Sequence, residues 1–190
     1  MKPKRLLIPL LTALLLGAAA AATLASASAP PPRRGFPVRT VASPKVHKPR
    51  HRVDARLVRR LQRTVWHWQA VMGVSGRTYF KAPLQSTRAL RYWRRQVKQI
   101  ARRAAHPPHR SGWLCIHNHE GGWSDSGDPY WGGLQMDRGF MRTYAPRDLL
   151  RRGWADRWTP LEQMWVAERA HRSGRGYYPW PNTARYCGLL

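Results

Sequence analysis

Acid is what this chain of 190 residues lacks most: nine Asp and Glu stand against 34 Lys and Arg. The deficit is uneven. Residues 30–110 carry Asp54 as their sole acid beside 21 basic residues, whereas residues 111–190 carry eight acids and ten arginines. A basic front and a nearly neutral back predict two different modules. Cysteine is almost as scarce. Cys115 and Cys187 allow one bridge at most, which excludes a disulfide-rich scaffold. Long apolar runs are missing too, apart from one between Leu6 and about Ala22, so no other stretch is apolar enough to cross a bilayer.

That single run carries the localisation. Lys2, Lys4 and Arg5 precede it and small residues follow it, the layout of a secretory signal over residues 1–29. Ala25-Ser26-Ala27 and Ala27-Ser28-Ala29 both fit a small-x-small cleavage pattern, so cleavage is expected after Ala27 or Ala29. Export brings the cysteines to an oxidising compartment, where a lone pair tends to close. A Cys115–Cys187 bridge would cross-link nearly the whole C-terminal part and contribute about 4 kcal/mol through loop entropy. A chain segment in need of such a staple is expected to be small.

Residues 30–53 are rich in Pro, Arg, Lys and Ser, bury too little apolar surface to offset ordering entropy, and are expected to be a disordered linker. Residues 54–106 follow as a basic helical segment. Val53, Leu57, Leu61, Val65, Trp68 and Met72 fall at helical spacing, with Gly73 and Gly76 as the stop. A second helix starts near Ser86 or Thr87, aligns Leu90, Trp93, Val97, Ile100 and Ala104, and stops at His106-Pro107-Pro108. Paired as a hairpin, the two would bury their apolar stripes and expose Arg and Lys. That field is either a plain solvated face or a clamp for a polyanion. In an exported protein the polyanion would be an acidic wall polymer or an anionic membrane surface, and no nucleic acid is expected.

In the back half, residues 113–119 read as a short helix stopped by Gly121-Gly122, with Trp113, Ile116 and Glu120 on one face. Tyr130 to Met136 suits a hairpin around Gly132-Gly133, and Arg138 to Tyr144 a helix ended by Ala145-Pro146. Thr159-Pro160-Leu161-Glu162 is a capping box with Pro at the first helical position, opening a helix to about His171. The tail to Leu190 is expected to wrap back so that Cys187 meets Cys115. Glu120 draws the chemistry. Its aromatic, apolar setting and the negative end of a helix dipole both favour a carboxyl group that keeps its proton.

Trp113, Glu120-Gly121-Gly122-Trp123 and Tyr130-Trp131-Gly132-Gly133-Leu134-Gln135 together resemble the lysozyme-like domain of the resuscitation-promoting factors and related transglycosylase-like proteins of actinobacteria. Leu161-Glu162-Gln163, Val166-Ala167-Glu168 and Tyr178-Pro179-Trp180-Pro181 resemble that family's closing helix and tail, so the likeness covers residues 111–190. It implies an α+β, mainly α fold: a small lysozyme-like domain closed by the Cys115–Cys187 disulfide. It also implies a secreted, cell-wall-associated enzyme that cleaves peptidoglycan glycan strands between N-acetylmuramic acid and N-acetylglucosamine. Glu120 would be the catalytic acid, and Tyr130, Gln135, Asp137 and Trp180 would line the glycan cleft.

Two departures stand out. The family's cysteine usually precedes the glutamate directly, whereas here His119 does and Cys115 lies five residues earlier. Phe140 stands near the position of the family's cleft threonine. Trp123 and Trp131 can supply flat faces for sugar rings, or core. Asp125, Asp128 and Asp137 are the nearby acids from which a hydrolase would draw its second carboxylate, but none sits in a matching motif. A lytic transglycosylase, with one acid, is therefore favoured over a muramidase. The alternative from another class is a non-catalytic module that holds wall glycan or polyanion. His109, Cys115, His117, His119 and Glu120 cluster in sequence without His-Glu-x-x-His spacing, so neither a metal nor another cofactor is expected.

Overall fold

The computed structural model describes residues 52–190. The expected export signal and all but the end of the expected linker lie outside them. Among these residues the structure is mainly helical, with one small sheet and one disulfide, Cys115–Cys187.

Helix α1, Ala55–Val71, is capped by Asp54, whose carboxylate accepts from the Arg56 N–H at 2.8 Å. Helix α2, Thr87–Ala104, is capped by Ser86, whose Oγ accepts from the Ala89 N–H at 3.1 Å. The two pack as the hairpin that their apolar spacing predicts, burying Val58 and Val65 with Ala89 and Trp93. The connecting loop is tied down by Trp66, which donates to the Thr78 carbonyl at 2.8 Å, and by Gln69, which donates to the Thr78 hydroxyl at 2.7 Å.

Helix α3, Arg110–Glu120, starts three residues before the expected 113 and buries Trp113 and Ile116. A sheet of three two-residue antiparallel strands follows: β1 (Ser126–Gly127), β2 (Tyr130–Trp131) and β3 (Met136–Asp137), in that order. The hairpin of β2 and β3 is the expected one; β1 was not foreseen. Helix α4, Arg138–Tyr144, and the short α5, Arg147–Leu150, lead to α6, Pro160–Ala170. The Thr159–Glu162 capping box is present with both of its hydrogen bonds. A π-turn at His171–Arg175 ends α6, and the tail, expected as a wrap, also contains a helix, α7, Pro181–Tyr186.

The charge boundary near residue 110 is not a structural one. The described residues, 52–190, fall within one unit, and α6 lies at its centre with both halves packed on it. Arg169 and Arg172 of the α6 end donate to the carbonyls of Ala70 (2.9 Å) and Met72 (2.5 Å) at the end of α1. Trp165 of α6 donates to the Ala104 carbonyl of α2 at 2.8 Å. The second module predicted from charge alone is therefore joined to the first through satisfied backbone carbonyls and a shared core that includes Val71, Met72 and Ala104.

Candidate functional site

The site begins with the disulfide, because it joins α3 to α7 at a defined register. From Cys115 the α3 chain runs five residues forward to Glu120, and from Cys187 the α7 chain runs four residues back to Thr183. The two helices run in opposite directions there, so the bridge brings these two side chains together: the Thr183 hydroxyl donates to the Glu120 carboxylate. Glu120 is half-buried at the end of α3, and Gly121, at φ 157°, turns the chain away from the helix.

A pocket of about 370 Å³ opens at this carboxylate, lined by Glu120, Tyr130, Gln135, Pro179, Trp180, Pro181, Asn182 and Thr183. Glu120 is the only carboxylate in the lining. Tyr130 is half-exposed and offers its ring as one wall. Trp180 is nearly buried, its ring braced edge-on by Trp113 at 5.3 Å and Phe140 at 5.4 Å, and its indole N–H donates to the Leu134 carbonyl at 2.6 Å. Its orientation is thus fixed by the core, so the edge that reaches the pocket is rigid. Among the described residues Gln135 is the one non-glycine with positive φ, at 44°, and its amide donates to the Gly132 carbonyl at 3.0 Å. A side chain held in that region costs about 1 kcal/mol and marks a position whose direction matters.

Two further hollows adjoin the pocket. One of about 350 Å³ shares Tyr130 and Gln135 with it and is also lined by Asp125 and Asp128. The other, of about 320 Å³, shares Pro179 and is lined by Asp137, Phe140, Tyr144 and Arg175. Together they make a run of three adjoining hollows with Glu120 at the middle one. Asp125, Asp128 and Asp137 each have a separate task. Asp125 accepts from the Gly122 N–H at 2.7 Å, Asp128 pairs with Arg138 at 3.0 Å, and Asp137 caps α4 by accepting from the Phe140 N–H at 2.7 Å.

Of the residues expected in the cleft, Tyr130, Gln135 and Trp180 line the pocket beside Glu120, and Asp137 lines the adjoining hollow. Trp123 and Trp131 line none of the three hollows. Trp123 stacks on His117 at 3.9 Å, and its carbonyl accepts from Gln163 at 2.8 Å. Trp131 is buried, beneath Arg138 at 5.0 Å and beside Trp154 at 5.9 Å. The Gly132-Gly133 turn has a packing cause. A Cβ on Gly133 would lie 2.6 Å from His117 Nδ1 and 2.8 Å from the Trp123 ring, so this turn and the indole interlock.

Pro179, Pro181, Asn182 and Thr183 were not among the expected cleft residues. The signal available for Thr183 was its spacing of one helical turn from Cys187. The departure at Phe140, where the resemblance expects a threonine, is accompanied here by a hydroxyl from the other end of the chain.

Two other glutamates are wholly different from Glu120. Glu168 is fully buried; its Oε1 accepts from the His109 backbone N–H (2.7 Å) and the Trp113 indole N–H (2.8 Å), and its Oε2 faces His109 Nδ1 at 3.1 Å. Glu162 is buried and meets His67 at 2.8 Å, Arg152 at 2.6 Å and the Thr159 N–H at 2.7 Å. Burial alone would raise the Glu162 carboxyl, but the hydrogen bonds from His67, Thr159 and Arg152 outweigh it and bring it from an ordinary 4.5 down to about 2.

His109, Glu168 and His171 place three potential metal-ligating atoms within 4.8 Å of one another, but both Glu168 oxygens already have N–H or imidazole partners. Burial, and then the neighbouring His109, hold the His171 imidazole below its ordinary value, with Glu168 pulling the other way. His117 and His119 do not converge with Glu120 on one point: His117 packs on Trp123, and His119 packs on Tyr186 at 4.3 Å.

Comparisons with protein-family models, with curated proteins and with solved structures returned no match to this chain.

Proposed function

We propose that the chain is an exported, peptidoglycan-cleaving enzyme with a lysozyme-like body, in which Glu120 acts alone as acid and base on the bond between N-acetylmuramic acid and N-acetylglucosamine. The observation that carries this reading is the composition of the central pocket. It holds one carboxylate, a hydroxyl bonded to it, an aromatic wall and a strained glutamine, within a run of hollows suited to consecutive sugar rings.

In this mechanism protonated Glu120 donates to the glycosidic oxygen, the bond to the anomeric carbon breaks, and positive charge develops on the sugar ring. The muramic sugar's own hydroxyl then attacks that carbon, and the Glu120 carboxylate takes the hydroxyl proton. The product is an anhydro-sugar, and the acid is restored. A hydrolase would instead place a second carboxylate at a set separation to guide a water or form a covalent intermediate. No aspartate lines the Glu120 pocket, and the three nearest are committed to a turn, an ion pair and a helix cap. That supports the transglycosylase over the muramidase.

The test is digestion of purified peptidoglycan by the exported protein, with soluble products weighed by mass spectrometry. Anhydro-muropeptides that disappear in Glu120→Gln are expected. Reducing-end products, heavier by one water, would move the assignment to a hydrolase. No soluble product from the unaltered protein would leave the non-catalytic glycan-binding reading in its place.

A further inference from the structure

The helical hairpin carries a second, independent feature. Along α2, Arg88, Arg91, Arg95, Lys98 and Arg102 repeat at alternating steps of three and four residues, which places them in one row. All five are exposed. The row runs from Arg88 to Arg102, a rise of about 21 Å, with one cation roughly every 5 Å. Nearby, α1 adds exposed Arg56, Arg59, Arg60 and Arg63.

Nothing within the described residues neutralises this row. The ion pairs found there engage His67, His109, Arg138, Arg151, Arg152 and Arg157, and none of the cations on the row. Asp54, the single acid among residues 52–110, is occupied at the α1 cap. Like charges at these spacings repel, and Gln or Ala would support the helix as well. Arg88 lies over the Phe80 ring at 5.8 Å and Arg102 complements the dipole in the last turn of α2, but the fold itself has no use for Arg91, Arg95 and Lys98 between them.

Two facts choose between a polymer and a lipid surface. A helix that docks in a bilayer interface needs a free apolar face, and here the apolar stripes of α1 and α2 are spent on each other. Tyr79 is the one large apolar side chain in residues 52–110 that is strongly exposed. A straight row of evenly spaced point charges instead matches a linear chain with evenly spaced anions.

We propose that the α2 row is a docking track for a linear phosphodiester polymer of the cell envelope. The hairpin is fastened to α6 by Trp165, Arg169 and Arg172, so docking would hold the same rigid body that bears the Glu120 pocket against the wall. The location in the envelope rests on the export reading above; the recognition of a polyanion does not.

The experiment uses the full chain and an Arg91→Gln/Arg95→Gln/Lys98→Gln/Arg102→Gln variant, with glutamine chosen to retain helix propensity. Affinity for a poly(glycerol phosphate) chain is measured from 50 to 300 mM salt, beside a single-stranded DNA of equal charge and vesicles containing phosphatidylglycerol. The expected result is a loss of tenfold or more in affinity for the polymer, with the slope of log K against log salt reduced by about 3, at roughly 0.7 per lost contact. Equal binding by both proteins, no binding by either, or an unchanged salt slope would overturn the proposal. Tighter binding to DNA or to vesicles than to the polymer would also overturn it, in favour of those partners. Cleavage of soluble glycan by both proteins is followed in parallel. If cleavage is intact while polymer binding is absent, the track fails and the pocket reading stands; if polymer binding holds without cleavage, the reverse.

Discussion

Glu162 and Glu168 on α6 are enclosed and surrounded by hydrogen-bond partners, whereas Glu120 at the end of α3 is half-buried, has one hydroxyl partner and faces an open pocket. The two environments teach how to separate a structural acid from a chemical one in a chain with few acids. A carboxylate that holds several donors fixes the elements that supply them. One with a single neutral partner and an open side has room to meet a ligand. Glu162 joins α1 to α6, and Glu168 joins the start of α3 to α6. Glu120 joins nothing that the disulfide does not already hold.

Substitutions can break this contrast, and the largest effect is expected at Glu168. Glu168→Ala leaves the Trp113 and His109 donors buried without an acceptor and should cost about 3–5 kcal/mol in urea unfolding. A loss under 1 kcal/mol would show that the α6 acids are not structural.

Glu162 comes next through pH. Its folded value, about 2, lies below the unfolded 4.5, so its contribution is complete above about pH 5 and is lost as pH falls from 4.5 toward 2. The integrated effect is on the order of 3 kcal/mol. Unfolding measured across that range should lose this component in Glu162→Gln. An unchanged acid limb would place the acid sensitivity elsewhere.

Thr183→Val removes the hydroxyl from Glu120 without a change of size, and turnover should fall about tenfold, the worth of one such hydrogen bond. Thr183→Ser should recover most of it. If Val and wild type turn over equally, the Thr183 contact is packing alone.

The smallest effect is at Gln135. Glycine tolerates φ 44° without strain, so Gln135→Gly should leave stability within about 1 kcal/mol of wild type while KM for glycan rises severalfold. An unchanged KM would remove this side chain from the site.

How much of this was legible in the sequence follows from how local each cause is. The ends of α1, α2, α4 and α6 are set by residues within a turn of each boundary; the caps at Ser86 and Thr159 were readable from spacing and turn chemistry, whereas Asp54 and Asp137 show themselves as caps only in the structure. The two-residue strand β1 and the one-and-a-half-turn α7 were not foreseen, because elements so short are stabilised by what they pack on rather than by their own pattern. Helix α6 shows the same limit from another side. Residues Glu162 to Ala167 are all buried, polar ones included, because partners cover every face, and a polar residue at helical spacing normally signals surface. The Gln163 amide, which accepts from Gly133 and donates to Trp123 and Ala155, is visible only once those loops are in place. In the pocket, Glu120, Tyr130, Gln135 and Trp180 were readable as a constellation through resemblance. Thr183 was not, since its place depends on the register that the disulfide imposes between α3 and α7.

The central claim is that Glu120 serves chemistry and not stability. The most direct measurement takes one preparation of Glu120→Gln and records both its release of soluble muropeptides and its thermal unfolding. Product release should fall at least 10²-fold, the range of general acid catalysis, while the melting temperature stays the same or rises, as is common where a functional group is removed. Retained release, or a loss of release accompanied by a melting temperature lowered by about 5 °C or more, would contradict it.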